Sequence, residues 1–553
     1  MLASSVPAMP PHVASQRYLS TRGGSYDLSF EDVVLKGLAS DGGLFIPEEI
    51  PQLPSDWQSK WANYSFQELA HEIFSLYISP YEIPTDDLKT IVDKSYASFR
   101  APEITPLVAL NQGKKLHLLE LFHGPTFAFK DVALQFLGNL FEYFLVRRNK
   151  GKEGKNRDHL TVIGATSGDT GSAAIYGLRG KKDVSVFILY PQGKVSPVQE
   201  SQMTTVPDAN VHCVAVKGTF DDCQDIVKTL FADEEINQTH RLAAVNSINW
   251  ARILAQITYY FHAYFALCRQ SCAPPSIRFV VPTGNFGDIL AGYFATRMGL
   301  PVEKLVVATN SNDILHRFWQ TGSYEKQPVH GRGANGGLPE DGARAHPDGV
   351  KETCSPAMDI LVSSNFERLL WFLVYRNSAT PETNRRRMEA GEQVKAWLAT
   401  LKSHGGFTVN EHILTAAQEC CESERVSDEE TLARIHHTHL ASLPVALSES
   451  ALFTRGTQTH GHYILDPHSA VGVEAAERSI RRSSAHHVAL ATAHPAKFSA
   501  AVEKALHAVE GFDFAAVLPD AFRGLEDMEK RMEKSGNDWT EVRKIIVRTV
   551  EKS

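Results

Sequence analysis

Short runs of continuous apolar residues alternate with amphipathic segments through the middle of the chain. Five of these runs are predicted to be buried strands: Leu160 to Ile163, Val184 to Leu189, Val211 to Val216, Ile277 to Val281 and Leu305 to Ala308. A segment with helical periodicity follows each run. Strands that are apolar on both faces are typical of parallel sheets covered by helices, so the pattern predicts an α/β fold with parallel-type sheets.

The chain before this region has a helical pattern instead. From Arg17 to about Ala101 the sequence predicts a separate, mainly helical N-terminal unit, with amphipathic pieces at Phe30 to Leu38 and Trp57 to Ile78. A Gly42-Gly43 turn lies between the two pieces. The periodicity of each piece indicates a helix that buries one face.

The second half of the chain mixes irregular and helical segments. Gln327 to Gly349 is rich in Gly and Pro without periodicity, which predicts an exposed, mobile insertion. The segment from Asn365 to Val445 returns to a helical pattern, with a capping box from Ser427 to Glu430. Short strands are predicted near Tyr463 to Leu465 and Val488 to Leu490, followed by closing helices.

Composition narrows the class of protein. A chain of 553 residues with 43% hydrophobic and 22% charged residues is long enough for several globular units. The net charge of -8 gives no basic surface of the kind that nucleic acid requires. The apolar stretch from Ile253 to Leu267 contains polar side chains, so we interpret it as a core helix and not a membrane span.

Cysteine spacing and the N-terminus bear on the compartment. Seven cysteines without a repeated CxxC or CxxH spacing favour a reducing, cytoplasmic location and no metal site. The adjacent Cys420 and Cys421 are interpreted as two helix residues without a redox role. The first 16 residues fit neither a secretory signal nor a transit peptide, and we expect a disordered tail there.

Lys130 is the strongest single candidate for chemistry. It ends the segment LFHGPTFAFK (121 to 130) and begins an amphipathic run with apolar residues at Leu134, Leu137, Phe141 and Phe144. A lysine held among apolar side chains has a lowered pKa, which makes the neutral, nucleophilic amine accessible. The simpler alternative is a lysine that extends from a helix start into solvent.

A Gly- and hydroxyl-rich loop, GATSGDTGSAA (164 to 174), follows the first predicted strand and opens a helix. Backbone N–H groups and the positive end of a helix bind anions in such loops, and Thr166, Ser167 and Thr170 add polar side chains. Asp169 opposes an anion unless it faces elsewhere or bonds a backbone amide. An ordinary strand-to-helix turn is the alternative.

A second loop, PTGNFGD (282 to 288), stands between another predicted strand and a helix. Gly284 and Gly287 permit a phosphate to approach the backbone closely. The chain lacks the Gly-Lys-Ser/Thr of a nucleotide triphosphate loop. Two such loops together with Lys130 predict a phosphorylated cofactor at the carboxyl ends of the strands.

Several motifs together resemble a known family. They are RYLSTRG (17 to 23), GLASDGGLFIPEEIP (37 to 51), LFHGPTFAFKD (121 to 131), TSGDTGSAA (166 to 174), PTGNFGDILAGYFA (282 to 295), SPAMDILVSSNFERLL (355 to 370) and TAHPAKF (492 to 498). The set resembles the fungal and enterobacterial-like branch of the threonine synthases from about residue 17 to 540. The resemblance implies the tryptophan-synthase-β-like fold (fold type II), pyridoxal 5'-phosphate, and conversion of O-phospho-L-homoserine and water to L-threonine and phosphate.

The resemblance also implies roles for individual residues. Lys130 matches the Schiff-base lysine, and Thr492 matches the hydroxyl that faces the pyridine nitrogen. The cofactor phosphate would lie on Gly284, Asn285, Phe286, Gly287 and Asp288. The anionic end of the substrate would lie on Thr166, Ser167, Gly168, Asp169 and Thr170. Related enzymes of the fold have Asn in place of Asp169, which leaves the contact of this residue open.

The resemblance and the patterns give a domain division. We expect a tail at 1–16, an N-terminal domain at 17–105, a large cofactor domain at 106–158 and 270–500, a small α/β domain at 159–269 and C-terminal helices at 501–553. The insertion at 327–349 and the helical segment at 365–445 lie within the large domain. Oligomeric state and protein partners stay open.

Three other functions remain compatible with the motifs. A sister enzyme could release phosphate with 2-oxobutanoate, and a dehydratase could act on serine or threonine. A non-catalytic relative would not need an intact Lys130 beside both loops. His123, His468 and His494 adjoin the motifs, but for each a hydrogen-bonded structural histidine is the favoured interpretation.

Overall fold

The computed structural model describes residues 16–111, 113, 115–270, 274–326, 344–345, 349–441, 458–459 and 462–550. Its strands are β1 Tyr18–Ser20, β2 Phe45–Pro47, β3 Leu107–Asn111, β4 Leu116–Glu120, β5 Leu160–Ala165, β6 Val184–Pro191, β7 Val211–Val216, β8 Leu242–Ala243, β9 Ile277–Pro282, β10 Val302–Thr309, β11 Ser323–Glu325, β12 Arg344–Ala345, β13 Lys351–Glu352, β14 Gly406–Thr408, β15 Cys421–Arg425, β16 Gln458–Thr459, β17 His462–Tyr463, β18 His486–Ala491 and β19 Glu533–Ser535.

The helices are α1 Phe30–Lys36, α2 Trp57–Lys60, α3 Phe66–Tyr77, α4 Thr85–Tyr96, α5 Lys130–Arg148, α6 Asp169–Leu178, α7 Pro197–Thr204, α8 Phe220–Ala232, α9 Glu234–His240, α10 Trp250–Cys268, α11 Gly287–Met298, α12 Ile314–Thr321, α13 Phe366–Asn377, α14 Thr383–His404, α15 Glu411–Cys420, α16 Asp428–Ala441, α17 Pro467–Ile480, α18 Ser499–Leu506 and α19 Trp539–Val550. No helix within these described ranges is long and apolar enough to cross a membrane.

The larger sheet has six strands in the order β15-β10-β9-β18-β4-β3. All neighbours in it are parallel except β3 and β4. The strand β18 comes late in the chain yet lies in the middle of the sheet, between β9 and β4. Parallel pairing brings the carboxyl ends of β4, β9 and β18 to one edge of the sheet.

The smaller sheet has five parallel strands in the order β19-β7-β6-β5-β8. The two sheets contain the five predicted buried strands, and the predicted α/β class with parallel-type sheets is confirmed. For 501–553 the sequence predicts C-terminal helices. Besides helices, the structure has the strand β19 in this segment, which extends the smaller sheet beside β7, and α19 packs in the same hydrophobic cluster as β7.

The N-terminal region is mainly helical, as expected. Its helices share one hydrophobic core with α5 and α10. The ring centroids of Phe74 and Phe136 lie 4.4 Å apart, and those of Tyr77 and Trp250 lie 5.7 Å apart. The expected helical piece from Trp57 to Ile78 is two helices, because Ser65 begins α3 with its own capping box.

The later segments give one confirmation and two corrections. Ser427 and Glu430 form the predicted capping box, with bonds of 2.8 and 3.2 Å. Cys421 begins β15 and is not a helix residue. The strand predicted near Tyr463 to Leu465 stops at Tyr463, since the chain then turns into the cap of α17. Nearly all of the predicted tail and of the predicted 327–349 insertion lies outside the described residues.

Candidate active site

The loop after β4 and the loop after β18 are joined just before Lys130. The N–H of Phe129 donates to the carbonyl oxygen of Thr492 at 2.8 Å. The N–H of His494 donates to the carbonyl oxygen of Phe127 at 3.1 Å. These bonds hold Thr492 beside the first turn of α5, which begins at Lys130.

The amine of Lys130 is buried in this corner of the fold. Its Nζ lies 3.8 Å from Oδ2 of Asp169 and 4.8 Å from the centre of the Phe129 ring. Burial lowers the pKa of Lys130; Asp169 opposes this shift, and the cations of Lys497 and Arg252 reinforce it. The neutral, nucleophilic form is therefore more accessible here than for a lysine in water.

Asp169 does not face the N–H groups of its own loop. Its Oδ1 accepts from Nζ of Lys497 and from Nε2 of Gln199, both at 2.8 Å. Burial on its own would raise the pKa of Asp169, but Lys497 and then Lys130 hold it well below its usual range. The carboxylate of Asp169 thus faces two lysines and leaves the N–H groups of its own loop free.

The loop around Asp169 is shaped by Thr166. The Thr166 hydroxyl accepts from the N–H groups of Gly168 and Gly171 at 3.0 and 2.9 Å. Gly168 has φ of 147°, a conformation that favours glycine. Within the described residues, the N–H groups of Ser167, Asp169 and Thr170 donate to no protein acceptor. These three groups stand at the positive end of α6 and are free to bind an anion.

The loop after β9 presents a second row of free amides. In the part of the chain that the structure describes, the N–H groups of residues 284–288 have no protein acceptor. Their carbonyl groups are held from the other side. The Ser363 hydroxyl donates to the Gly284 carbonyl at 2.7 Å, and the Asn365 amide donates to that of Asn285 at 2.9 Å. Five free donors at the start of α11 suit a phosphate group.

The side chains of this loop turn away from the free amides. Phe286, in a left-handed conformation with φ of 64°, packs its ring against Trp319 and Phe366. The carboxyl of Asp288 accepts from the hydroxyls of Tyr259 and Tyr260. Burial raises the pKa of Asp288 to about 7. Both residues can therefore contribute to an anion site only through their backbone.

Thr492 offers a polar group with no competing partner. Its backbone N–H donates to the Ser469 hydroxyl at 3.1 Å, which fixes the residue. Its own hydroxyl has no hydrogen-bond partner among the described residues, although the residue is only 6% exposed. An unpartnered hydroxyl of this kind is available to a ligand.

The three histidines near the motifs are hydrogen-bonded within the protein. His468 accepts from the Ala357 N–H through Nε2 at 3.0 Å, and its Nδ1 pairs with Asp466 at 2.8 Å. Nε2 of His123 lies 2.8 Å from Glu120. Burial lowers the pKa of His494 to about 3, so this imidazole is neutral. These contacts fit the structural interpretation that the sequence favoured.

Two buried cations near Lys130 were not singled out from the sequence. Lys497 belongs to the quoted motif TAHPAKF, and Arg252 lies in the core helix α10. Burial lowers the pKa of Arg252 to about 10, and its guanidinium forms no ion pair within the described ranges. The only available signal was a charged residue inside an apolar segment, which is not specific by itself.

Comparison with known proteins identifies the family. Residues 17–96 match the model for the threonine synthase N terminus, residues 99–362 the model for pyridoxal-phosphate dependent enzymes, and residues 469–546 the model for the threonine synthase C-terminal region. A threonine synthase of Schizosaccharomyces pombe is 54% identical over 537 residues, which cover 96% of this chain and 97% of the relative. This chain belongs to the threonine synthase family.

Further relatives of the threonine synthase family agree with this result. The threonine synthase of Saccharomyces cerevisiae is 51% identical over 527 residues, 94% of this chain and 95% of the relative. The crystal structure of threonine synthase from yeast superposes with a TM-score of 0.86 at 49% identity, covering 98% of this chain and all of that one.

A threonine synthase from Brucella melitensis with bound pyridoxal phosphate has a TM-score of 0.79 at 39% identity, covering 97% and 99% of the two chains. The predicted family, fold and cofactor are thereby confirmed.

Proposed function

We propose that this chain converts O-phospho-L-homoserine and water to L-threonine and phosphate in threonine biosynthesis, with Lys130 as its catalytic lysine. One observation carries the assignment: the buried, weakly basic amine of Lys130 lies at strand ends that also carry two sets of free backbone amides. Family membership over nearly the whole chain supports the same reaction.

The residues present fit pyridoxal 5'-phosphate. The free N–H groups from Gly284 to Asp288 would hold its phosphate, and the unpartnered hydroxyl of Thr492 would face its ring nitrogen. A hydroxyl exchanges a hydrogen bond with that nitrogen without forcing its protonation. When bound, the cofactor supplies an aldehyde that reacts with amines and a conjugated ring that accepts electrons from the substrate.

Lys130 is assigned to the proton transfers. The reaction removes protons from Cα and Cβ of the substrate before phosphate leaves, and later returns protons to the carbon chain. A neutral amine accepts such protons, and burial favours the neutral form of Lys130. Lys497 is less suited to this role, because its Nζ already donates to Asp169 and to the Thr126 carbonyl at 2.9 Å.

The substrate carries two anionic ends, and besides the loop assigned to the cofactor phosphate the site offers two anion-binding groups. The loop from Thr166 to Thr170 would hold the carboxylate on its free N–H groups. Arg252 would hold the phosphate, since it is a buried guanidinium without a carboxylate partner in the described residues. A requirement for two anions distinguishes O-phosphohomoserine from serine or threonine.

Product analysis tests the proposal. Purified protein with pyridoxal 5'-phosphate should release phosphate and threonine in equal amounts from O-phosphohomoserine. Phosphate accompanied by 2-oxobutanoate and ammonia would establish the phospho-lyase alternative, and deamination of serine or threonine in preference to O-phosphohomoserine would establish the dehydratase. The Lys130→Ala protein, carried through the same assay, controls for contaminating enzymes.

A cytoplasmic location is also proposed. The six cysteines that the structure describes are free thiols, including the adjacent Cys420 and Cys421 with sulfurs 3.4 Å apart. Cysteines that remain free thiols are typical of a reducing compartment. Cell fractionation tests the location, and recovery with an oxidising compartment would contradict it.

A further inference from the structure

Lys130, Asp169 and Lys497 form a charged cluster that is closed off from solvent. The Lys497 side chain is fully buried, and those of Asp169 and Lys130 are 7% and 11% exposed. The two lysines contact different oxygens of one carboxylate, Lys497 at 2.8 Å and Lys130 at 3.8 Å. Asp169 is thus shared, and the shorter contact belongs to Lys497.

Lys497 is held in this position from a second side. Its Nζ donates to the carbonyl oxygen of Thr126 at 2.9 Å. The N–H and hydroxyl of Thr126 in turn donate to Asp131, in the first turn of the helix that Lys130 begins. Lys497 therefore connects the loop before Lys130 to the loop that carries Asp169.

Shared charge decides the protonation of Lys130. A carboxylate with Lys130 as its only cation would stabilise the ammonium form, because opposite charges attract strongly where water is excluded. A second cation at 2.8 Å cancels much of that attraction. Lys130 is then free to lose its proton, as the proposed reaction requires.

We propose that Lys497 is a positioning residue that acts through Asp169, holding this carboxylate as its own counterion so that the amine of Lys130 can be neutral. The inference rests on the proposed function, which makes Lys130 the lysine that carries the cofactor. Lys497 belongs to the motif TAHPAKF, and its Nζ already contacts Asp169 and the carbonyl oxygen of Thr126.

The other charged groups around Lys130 and Asp169 come from four helices. Asp131 on α5, Arg252 on α10 and Asp288 on α11 each interact electrostatically with Lys130. His468 on α17 faces Asp169. Lys497 also interacts electrostatically with Asp131 and with His494. Lys497→Arg, which keeps the charge, is therefore the reference against which a change in protonation is assigned to the cluster.

The test follows the visible absorbance of the bound cofactor as a function of pH, which reports protonation of the lysine nitrogen and does not need turnover. Lys497→Met should raise the midpoint of this titration by about 1 to 3 pH units, the shift that a charge within a few ångströms produces. Lys497→Arg keeps the charge and should leave the midpoint close to the wild-type value. Asp169→Asn should lower it.

The double variant Lys497→Met/Asp169→Asn decides between electrostatic and merely structural roles. It removes both charges together, so its midpoint should fall below that of Lys497→Met although two buried side chains have changed. Because Lys497 acts through the carboxylate, Lys497→Met should shift the midpoint less in the Asp169→Asn background than in the wild-type background. If Lys497→Met fails to fold, Lys497→Gln takes its place in both backgrounds. No shift with Asp169 present, or an equal shift in both backgrounds, would overturn the inference.

Failure of the inference and failure of the proposed function give different results. A normal visible band, abolished by Lys130→Ala but with a midpoint independent of Lys497, refutes the inference alone. A band that persists in Lys130→Ala refutes the proposed function and the inference together.

Discussion

Replacing Gly284 with alanine tests whether the free amides after β9 hold the cofactor phosphate. A Cβ at this position would lie 2.8 Å from the carbonyl oxygen of Ala357 and 3.3 Å from Cα of Met358. Both are backbone atoms, so the loop must move to relieve the contact. Overpacking of this kind costs about 1–3 kcal/mol, which corresponds to about 5- to 150-fold weaker cofactor binding if the displaced loop bears the cost.

Gly287 provides a matched control in the same loop. A Cβ there would meet only side-chain atoms, of Asn365 and Ile253, each at 3.4 Å, an ordinary contact distance. The dissociation constant of pyridoxal 5'-phosphate, measured by titrating cofactor-free protein, should rise for Gly284→Ala and change little for Gly287→Ala. Equal affinities for Gly284→Ala and wild type would show that this loop does not bind the phosphate.

Three further substitutions probe the remaining parts of the site. Lys130→Ala should abolish the visible absorbance of the lysine-bound cofactor and reduce turnover by at least about 10²- to 10⁴-fold; an unchanged spectrum would move the cofactor to another lysine. Thr492→Asp should favour a protonated ring nitrogen and increase side products such as those of transamination relative to threonine, whereas an unchanged product ratio would place Thr492 away from the ring. For Asp288, the folded-state pKa of about 7 lies above the ordinary value, so the folded protein holds an extra proton between about pH 4 and 7. The free energy of unfolding therefore falls as pH rises through that window, by at most about 1.36 kcal/mol per pH unit. Asp288→Asn should therefore lose less stability than wild type between pH 5 and 8, and parallel melting-temperature profiles would contradict this assignment.

The parts of the site that sequence could predict are those contiguous with a strand or helix start. Lys130 and the 284–288 loop stand at such junctions, where local pattern determines backbone conformation. The contact of Asp169 could not be predicted, because Lys497, which holds it, lies in a distant segment. Only the packing of the loop after β18 against α6 brings the two together.

In the fold, too, some elements could be predicted from their local sequence, whereas others depend on contacts with distant segments. The buried parallel strands are apolar on both faces, and this pattern was sufficient to predict them. The edge strands β15 and β19 are short and polar, with sequences CESER and EKS, and gain their conformation by pairing with β10 and β7. The N-terminal helices could be predicted one by one from their periodicity. Their packing against α5 and α10 could not, because it depends on contacts with distant segments.

The central place of β18 has a consequence for biosynthesis of the chain. During translation, β4 and β9 are synthesised long before residues 486–491. Each of the two strands therefore keeps an unpaired edge until β18, their common neighbour, is synthesised. Thr492 arrives directly after that strand. Translation products that stop short of β18 thus lack both a continuous six-stranded sheet and Thr492, and their unpaired strand edges expose them to aggregation and degradation.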